Sequence, residues 1–166
     1  MKHFLLTLLL TFIVGVCSAQ TEHMKFKGVQ DGVSLLKGEF AGYEDCTICA
    51  VADKSGMICK VSVIFPTMDK WGDLERCYLN YKSMLSEKYG EPKECVEKFQ
   101  NDYANDNNSK KHELSMDRCK YYIIFDGDNG EIQLEITHQS MTCYVMLSYF
   151  DNANQEKLRK QIMDDL

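Results

Sequence analysis

The sequence comprises 166 residues and carries a formal net charge of −6, with 19 Lys and Arg residues against 25 Asp and Glu residues. The acidic chain has no basic stripe, which excludes a nucleic-acid partner because phosphate contacts need clustered Lys or Arg. The charge is typical of a surface that keeps a small domain in solution.

The N-terminal 19 residues have the three parts of a secretory signal peptide. A basic start at Lys2 precedes an apolar run over residues 4–16, and small residues end the segment at Ala19. We expect cleavage between Ala19 and Gln20, which predicts a periplasmic or secreted protein. The run is shorter than the about 20 residues that a membrane-spanning helix needs, and no second apolar stretch follows, so no transmembrane span is expected.

Cys17 allows a second interpretation of the same segment. The cysteine could be acylated after cleavage in front of it, which would anchor the protein to a membrane. This processing usually requires a small residue before the cysteine, whereas Val16 occupies that position. The plain signal peptide is therefore favoured, and lipid anchoring through Cys17 is the alternative.

The first elements beyond the leader are predicted to be strands followed by one long helix. Residues 34–65 have a strand pattern with a turn at 53–56, and Pro66 ends it because proline cannot donate to a sheet. Apolar residues then recur at three- and four-residue steps over 70–89, which predicts an amphipathic helix. The glycine and proline of segment 89–92 predict where this helix ends.

The next segments are a strand and a polar stretch. Residues 94–100 are predicted to form the strand. Residues 101–112 form a polar stretch, and its run of Asn, Asp, Ser and Lys contains nothing to bury. We therefore expect a polar loop near residues 101–115.

Residues 119–150 alternate between apolar and polar positions in three runs, which predicts a three-stranded meander. A turn over 126–130 joins the first two strands. Ile123 and Phe125 must face apolar residues there, because a one-residue slip would place them opposite polar ones. The pairs expected between the second and third strands are Ile136–Cys143, Leu134–Val145 and Ile132–Leu147. A short C-terminal helix over 153–165 is predicted to follow.

These elements together predict an α+β fold. Residues 20–166 are expected to form a single domain with an antiparallel sheet, made of a hairpin and the three-stranded meander. The long helix covers the apolar face of this sheet, and the short helix closes the chain.

The chain has eight cysteines, seven of them beyond the leader, and an exported protein with so many suggests disulfides. Cys95 and Cys119 flank the predicted polar loop, so a bridge between them is expected. A second bridge between Cys49 and Cys59 would need a bulge or a one-residue slip. Cys46 and Cys49 have the spacing of a redox or zinc pair, but a strand points them to opposite faces, which favours a structural role.

No other motif predicts chemistry. Residues 126–131 resemble a calcium loop but lack an oxygen ligand at Gly130, so a tight hairpin turn is favoured. His23, His112 and His138 lack the spacing of a metal motif. The sequence therefore predicts no catalytic residues, no metal site and no cofactor.

Several segments resemble a group of small exported proteins of Bacteroidetes-type gut bacteria. The resemblance covers most of the chain beyond the leader and is carried by the segments HMKFKG (23–28), LKGEFAGY (36–43), VIFP (63–66), KYGEP (88–92), ECVEKF (94–99) and MDRCKYY (116–122). It implies export but provides no catalytic residues. Proteins of this group look as though they carry a further helix and strand before the second segment, which this chain lacks. The resemblance thus implies an uncovered sheet edge and self-association through it.

For function, the leading hypothesis is an exported non-catalytic module that binds a protein or an envelope component. A hydrolase whose site is not recognisable from sequence and a thiol-active exported protein that uses the odd cysteine are the alternatives.

Overall fold

The computed structural model describes residues 35–52, 56–100 and 104–164, so the predicted leader with Cys17, Ala19 and Gln20 lies outside the described residues. The elements are β1 Leu35–Phe40, β2 Tyr43–Ala52, β3 Ile58–Ile64, α1 Trp71–Tyr89, β4 Glu94–Phe99, α2 Asn107–Ser115, β5 Cys119–Gly127, β6 Gly130–Gln139, β7 Thr142–Asp151 and α3 Asn152–Asp164. The predicted α+β class is confirmed. Within the described ranges no helix is long and apolar enough to cross a bilayer.

All seven strands join one antiparallel sheet in the order β1-β2-β3-β7-β6-β5-β4. In each half of this sheet, strands that follow one another in the sequence pair with each other. Strands β1 to β3 form one meander and β4 to β7 form another. The halves meet where β3 pairs with β7, so that Val63 lies opposite Leu147. Strands β1 and β4 form the two edges.

Helices α1 and α2 cover one face of the sheet, which we call the helical face. The repeat of apolar residues in α1 buries one side of the helix, at Trp71, Leu74, Cys77, Tyr78, Tyr81 and Leu85. These side chains pack against the inward residues of the meander, including Ile123, Phe125 and Leu134. The helix that the sequence predicts over 70–89 therefore forms and packs as expected.

The start of α1 depends on a contact that its own sequence does not provide. Lys70 occupies the N-cap position and makes no side-chain cap. Instead, the amide of Gly72 donates to Asn107 Oδ1 of α2 at 3.0 Å, which satisfies one of the free N–H groups of the first turn. At the other end, Gly90 has φ +82°, a conformation that favours glycine.

The predicted polar loop near 101–115 is wrong for its second half, because residues 107–115 form α2. Asp106 caps this helix by accepting from the amides of Asn108 and Ser109 at 2.8 and 3.0 Å. Leu114 is 3% exposed and anchors the helix in the core. The helix exists because of its cap and this anchor, since it has no continuous apolar face.

The meander forms with one correction to its register. Phe125 faces Ile132 and Ile123 faces Leu134, as predicted. In the next hairpin, however, the observed pairs are Ile136–Val145, Leu134–Leu147 and Ile132–Tyr149, two residues away from the predicted ones. The two-residue turn consists of Ser140 and Met141, with Ser140 at φ 54°, whereas the predicted pairs would place the turn at Gln139 and Ser140. A shift of two residues keeps every side chain on its face, so burial alone could not detect it.

Candidate functional site

The predicted bridge between Cys95 and Cys119 is absent, and both cysteines are free thiols. Cys119 lies opposite Phe99 in the β4–β5 pair, whereas Cys95 lies opposite Ile123. The two cysteines are thus displaced by four residues along the strands, about 13 Å at ~3.3 Å per residue. A disulfide requires α-carbons within ~7 Å, so this register rules the bridge out.

The second predicted bridge, between Cys49 and Cys59, is also absent. Cys49 faces Ser62, three residues beyond Cys59, and Ala50 faces Val61. The register does shift near Cys59, but only between Val51 and Ala52, so that Cys49 stays opposite Ser62. Cys59 is buried, and its Sγ lies 3.7 Å from the backbone oxygen of Asn154 in α3.

Most of the described cysteines serve as small core residues. Cys46, Cys77, Cys119 and Cys143 belong to the same buried cluster as the aromatic residues of α1. Burial raises the pKa of the Cys119 thiol to about 12, and it raises that of Cys143 as well. These thiols therefore stay protonated and unreactive at neutral pH. The structural role that the sequence favours for Cys46 agrees with its complete burial.

A candidate binding surface is the side of the sheet that faces away from α1 and α2, which we call the far face. One row of residues crosses five adjacent strands on this face, through successive cross-strand pairs: Ile64, Met146, Glu135, Tyr122 and Val96. All five side chains are half-buried. The row combines aliphatic, aromatic and thioether groups with one carboxylate at its centre.

Glu135 is the chemically distinctive member of this row. Burial raises the pKa of its carboxyl above the ordinary value, and Lys60 lowers it to a smaller extent. Tyr144, on the neighbouring strand, also has a raised pKa because of burial and then because of the charge of Glu135. Burial therefore disfavours the charged form of Glu135, and a basic group placed beside the carboxyl would stabilise that form.

Next to this row, two buried serines form a hydrogen bond on the far face. Ser62 and Ser148 face each other across β3 and β7, and their hydroxyl oxygens are 2.9 Å apart in a buried hydrogen bond. One hydroxyl donates to the other, so both buried side chains have a hydrogen-bond partner.

His138 is one of the three histidines that lack the spacing of a metal motif. Both of its ring nitrogens make hydrogen bonds. Nδ1 lies 2.9 Å from the Ser140 carbonyl oxygen, and Nε2 lies 3.2 Å from Asp117 Oδ1. The Ser140 carbonyl, followed by Asp117, raises the pKa of the ring. The buried thiol of Cys143 is its cross-strand neighbour. In this arrangement neither ring nitrogen is directed at a nucleophile. His112 is exposed on α2, and His23 lies outside the described residues.

The segment resembling a calcium loop forms the hairpin turn between β5 and β6, as the sequence favours. Lys93 pairs with Asp126 at 3.3 Å and also with Glu131, so lysine neutralises the acidic residues of this turn. Among the described residues no cluster of three or more His, Cys, Asp or Glu side chains could hold a metal ion.

Strand β4 carries a second polar cluster, on the helical face at the edge of the sheet. Glu97 accepts hydrogen bonds from Tyr78 at 3.1 Å, Lys82 at 2.5 Å and Cys95 at 3.5 Å. Although burial acts to raise it, the hydrogen bonds from Lys82 and Tyr78 lower the pKa of Glu97. For Cys95, burial and then the charge of Glu97 raise the thiol pKa. This exposed thiol is therefore not activated.

Sequence reasoning did not single out Glu135 or the β4 edge. The sequence does indicate on which face of the sheet Glu135 lies, because Glu135 occupies a polar position in the alternating pattern of β6. Its neighbours come from strands that are distant in sequence, however, and the pattern does not reveal them.

Comparison with protein-family models, with curated proteins and with solved structures gives no match to this chain. The resemblance to exported proteins of gut bacteria stays a prediction. Function must therefore be inferred from the geometry of the sheet and of its edges.

Proposed function

We propose that the chain is an exported, non-catalytic binding module that engages a protein partner of the cell envelope through the far face of its sheet. Export is supported by the three-part leader of residues 1–19 and by its cleavage signal before Gln20. Binding is supported by one observation above all, the half-buried row Ile64, Met146, Glu135, Tyr122 and Val96 across five strands.

The composition of the row indicates the chemistry of the partner. Tyrosine and methionine are enriched where proteins meet, because they offer large contact areas that can adapt to a second surface. Glu135 at the centre favours a partner that presents a Lys or Arg side chain there, surrounded by apolar groups. A charged pair at the centre of an interface contributes mainly to specificity.

The two alternative functions have less support. A hydrolase would need a base aimed at a nucleophile, whereas His138 is occupied by Ser140 and Asp117. A thiol-active protein would need a lowered thiol pKa, whereas the pKa of the exposed Cys95 is raised.

Site-specific photo-crosslinking tests the binding surface. A benzophenone amino acid placed at Tyr144, on the far face beside Glu135, should yield a defined crosslinked protein in envelope extracts. The matched control carries the same amino acid at Leu79, which is 47% exposed on α1. Equal crosslinking at both positions, or none at Tyr144, would contradict the proposal.

The crosslinked partner, once identified, allows the charge to be tested. Glu135→Gln should weaken binding of the purified partner by about tenfold or more, which is the effect of losing one central charged contact. Glu87→Gln, on the exposed side of α1, is the matched control and should leave the affinity unchanged. Equal affinity of both variants would remove Glu135 from the interface.

Export is tested separately by fractionation and by the mass of the mature chain. We expect the protein in the periplasm or medium with Gln20 as its first residue. A lipid-modified chain that begins at Cys17 would support the anchored alternative, and an uncleaved chain in the cytoplasm would contradict export.

A further inference from the structure

Strand β4 offers a regular edge for pairing, and within the part of the chain that the structure describes no strand lies beyond it. It forms six consecutive antiparallel pairs with β5 and has no bulge, whereas the register of β1 at the other edge shifts between Gly38 and Phe40. Bulges of this kind are a common way to protect an edge from further pairing. Most side chains of β4 are exposed, with only Val96 and Phe99 half-buried.

The hydrogen-bonding pattern shows which backbone groups point outward. The amide of Gln100 donates to the Arg118 carbonyl, which makes the even-numbered residues of β4 those bonded to β5. The N–H and C=O groups of Cys95, Glu97 and Phe99 therefore point away from β5, in the plane of the sheet and toward its edge. Among the described residues no backbone group bonds to them.

We propose that two copies of this chain associate by antiparallel pairing of their β4 strands about a two-fold axis at Val96. In this register Glu94 of each copy lies opposite Lys98 of the other, so two ion pairs flank a central contact between the two Val96 side chains. Cys95 and Glu97 face each other on the other side of the sheet. The sequence of β4 is thus complementary to itself in charge.

Other registers are excluded by geometry and charge. Residues whose backbone groups point outward must lie opposite each other in the two copies. A register that differs from the one centred at Val96 by an odd number of residues is therefore not possible. Pairing centred at Glu97 would place two like charges directly opposite, which is unfavourable. Pairing centred at Cys95 shortens the overlap and places Glu94 opposite Val96. The register centred at Val96 pairs residues 94–98 of both copies, and of these registers it is the one that places Glu94 opposite Lys98.

The proposed dimer joins two seven-stranded sheets into one continuous sheet. Val96 ends the far-face row of each copy, so the row would continue from one copy into the next. The inference does not depend on the proposed function, because strand pairing at this edge needs no other partner. Since each copy contributes only one short strand, the dimer should be weak and should form with rising concentration.

Charge reversal tests the pairing in the full mature chain. Sedimentation velocity over a concentration series should show a monomer–dimer equilibrium for the wild type. Lys98→Glu and Glu94→Lys should each weaken the dimer about tenfold, because two attractive pairs become repulsive. The double variant Glu94→Lys with Lys98→Glu restores both pairs and should restore dimerisation.

The control is Lys37→Glu, at an exposed position of the opposite edge strand β1, which should behave like the wild type. A wild type that stays monomeric up to its solubility limit, or a double variant no better than the single ones, would overturn the proposal. Circular dichroism of each variant separates loss of pairing from loss of folding.

Cysteine crosslinking tests the register. In a Cys95→Ser background, Val96→Cys should form an intermolecular disulfide under mild oxidation, because the two Val96 positions face each other at about 4.5 Å between α-carbons. Lys98→Cys in the same background should not crosslink to itself, since its neighbour is Glu94. Equal crosslinking at both positions would overturn the register.

Discussion

Leu134 lies at the centre of the molecule, and its truncation to alanine tests the described core. The side chain is fully buried, with Ile123 and Leu147 as its cross-strand neighbours on either side. Both neighbours belong to the same cluster as the buried residues of α1. Backbone hydrogen bonds hold the strands on both sides of Leu134, so the cavity left by the substitution cannot collapse easily.

The expected cost follows from this setting. Leu→Ala substitutions in cores cost about 2–5 kcal/mol, with the higher values where the cavity persists. We expect about 4 kcal/mol for Leu134→Ala. With a urea m-value of about 2 kcal/mol per molar for a chain of this size, the unfolding midpoint should fall by about 2 M.

Equilibrium urea unfolding followed by tryptophan fluorescence is suitable, because Trp71 lies in the same buried cluster. Leu79→Ala is the control, since this leucine of α1 is 47% exposed and its truncation should change the free energy of unfolding by less than about 0.5 kcal/mol. If Leu134→Ala shifts the midpoint no more than Leu79→Ala, the described β5–β6–β7 core is wrong.

Polar contacts at three places give further expectations. The amides that Asp106 accepts from lower its pKa, so its stabilisation of α2 is present above the unfolded pKa and is lost as the pH falls through the folded pKa. The protection factors of the α2 amides, corrected for the intrinsic exchange rate at each pH, should therefore fall in acid, and Asp106→Ala should remove this pH dependence. The pKa of His138 is raised, so its contribution is complete below the unfolded pKa and is lost as the pH rises through the folded pKa. An NMR titration of the ring should show the raised pKa, and Asp117→Asn should lower it; an unshifted titration would contradict the contacts. Cys95 is the described cysteine classed as exposed, so peptide mapping after brief alkylation should find it labelled first, and labelling of Cys46 at the same rate would contradict the burial.

The sequence predicted what depends on local periodicity. The α1 helix and the pairing of Ile123 and Phe125 with apolar residues of β6 each follow from a pattern in which one face must be buried, and both are confirmed. The β6–β7 register was predicted two residues away from the observed one, because such a shift leaves the same faces buried. Only the turn geometry at Ser140 decides between the two registers, and a non-glycine residue with positive φ is difficult to foresee.

Helix α2 was missed because its stability does not come from an apolar repeat. Its N-terminal signal is a capping box in which Ser109, rather than the more usual Glu or Gln, occupies the third position. Leu114 is its one buried apolar side chain, and Asn107 contributes to the start of α1. The contacts of Leu114 and Asn107 are tertiary, and they stabilise a helix in a segment of polar composition.

The candidate binding surface could not be predicted because it depends on the pairing of β3 with β7. That pairing brings Ile64 beside Met146 and thereby beside Glu135. The pattern of each strand shows which residues share a face, but it does not give the order of the strands. The disulfide predictions failed for the same reason, since loop-flanking cysteines were assumed to be adjacent without a known register.

The β3–β7 pair also has a consequence for how the chain folds. The hydrogen-bonded hydroxyls of Ser62 and Ser148 are separated by 86 residues in sequence, whereas the other strand pairs join neighbours along the chain. Closing this long loop carries the largest entropic cost of any pairing in the sheet. We expect the two meanders to form early and their docking to limit the folding rate. A chain cut between β3 and α1 should accordingly give two fragments that recombine into the native sheet when mixed.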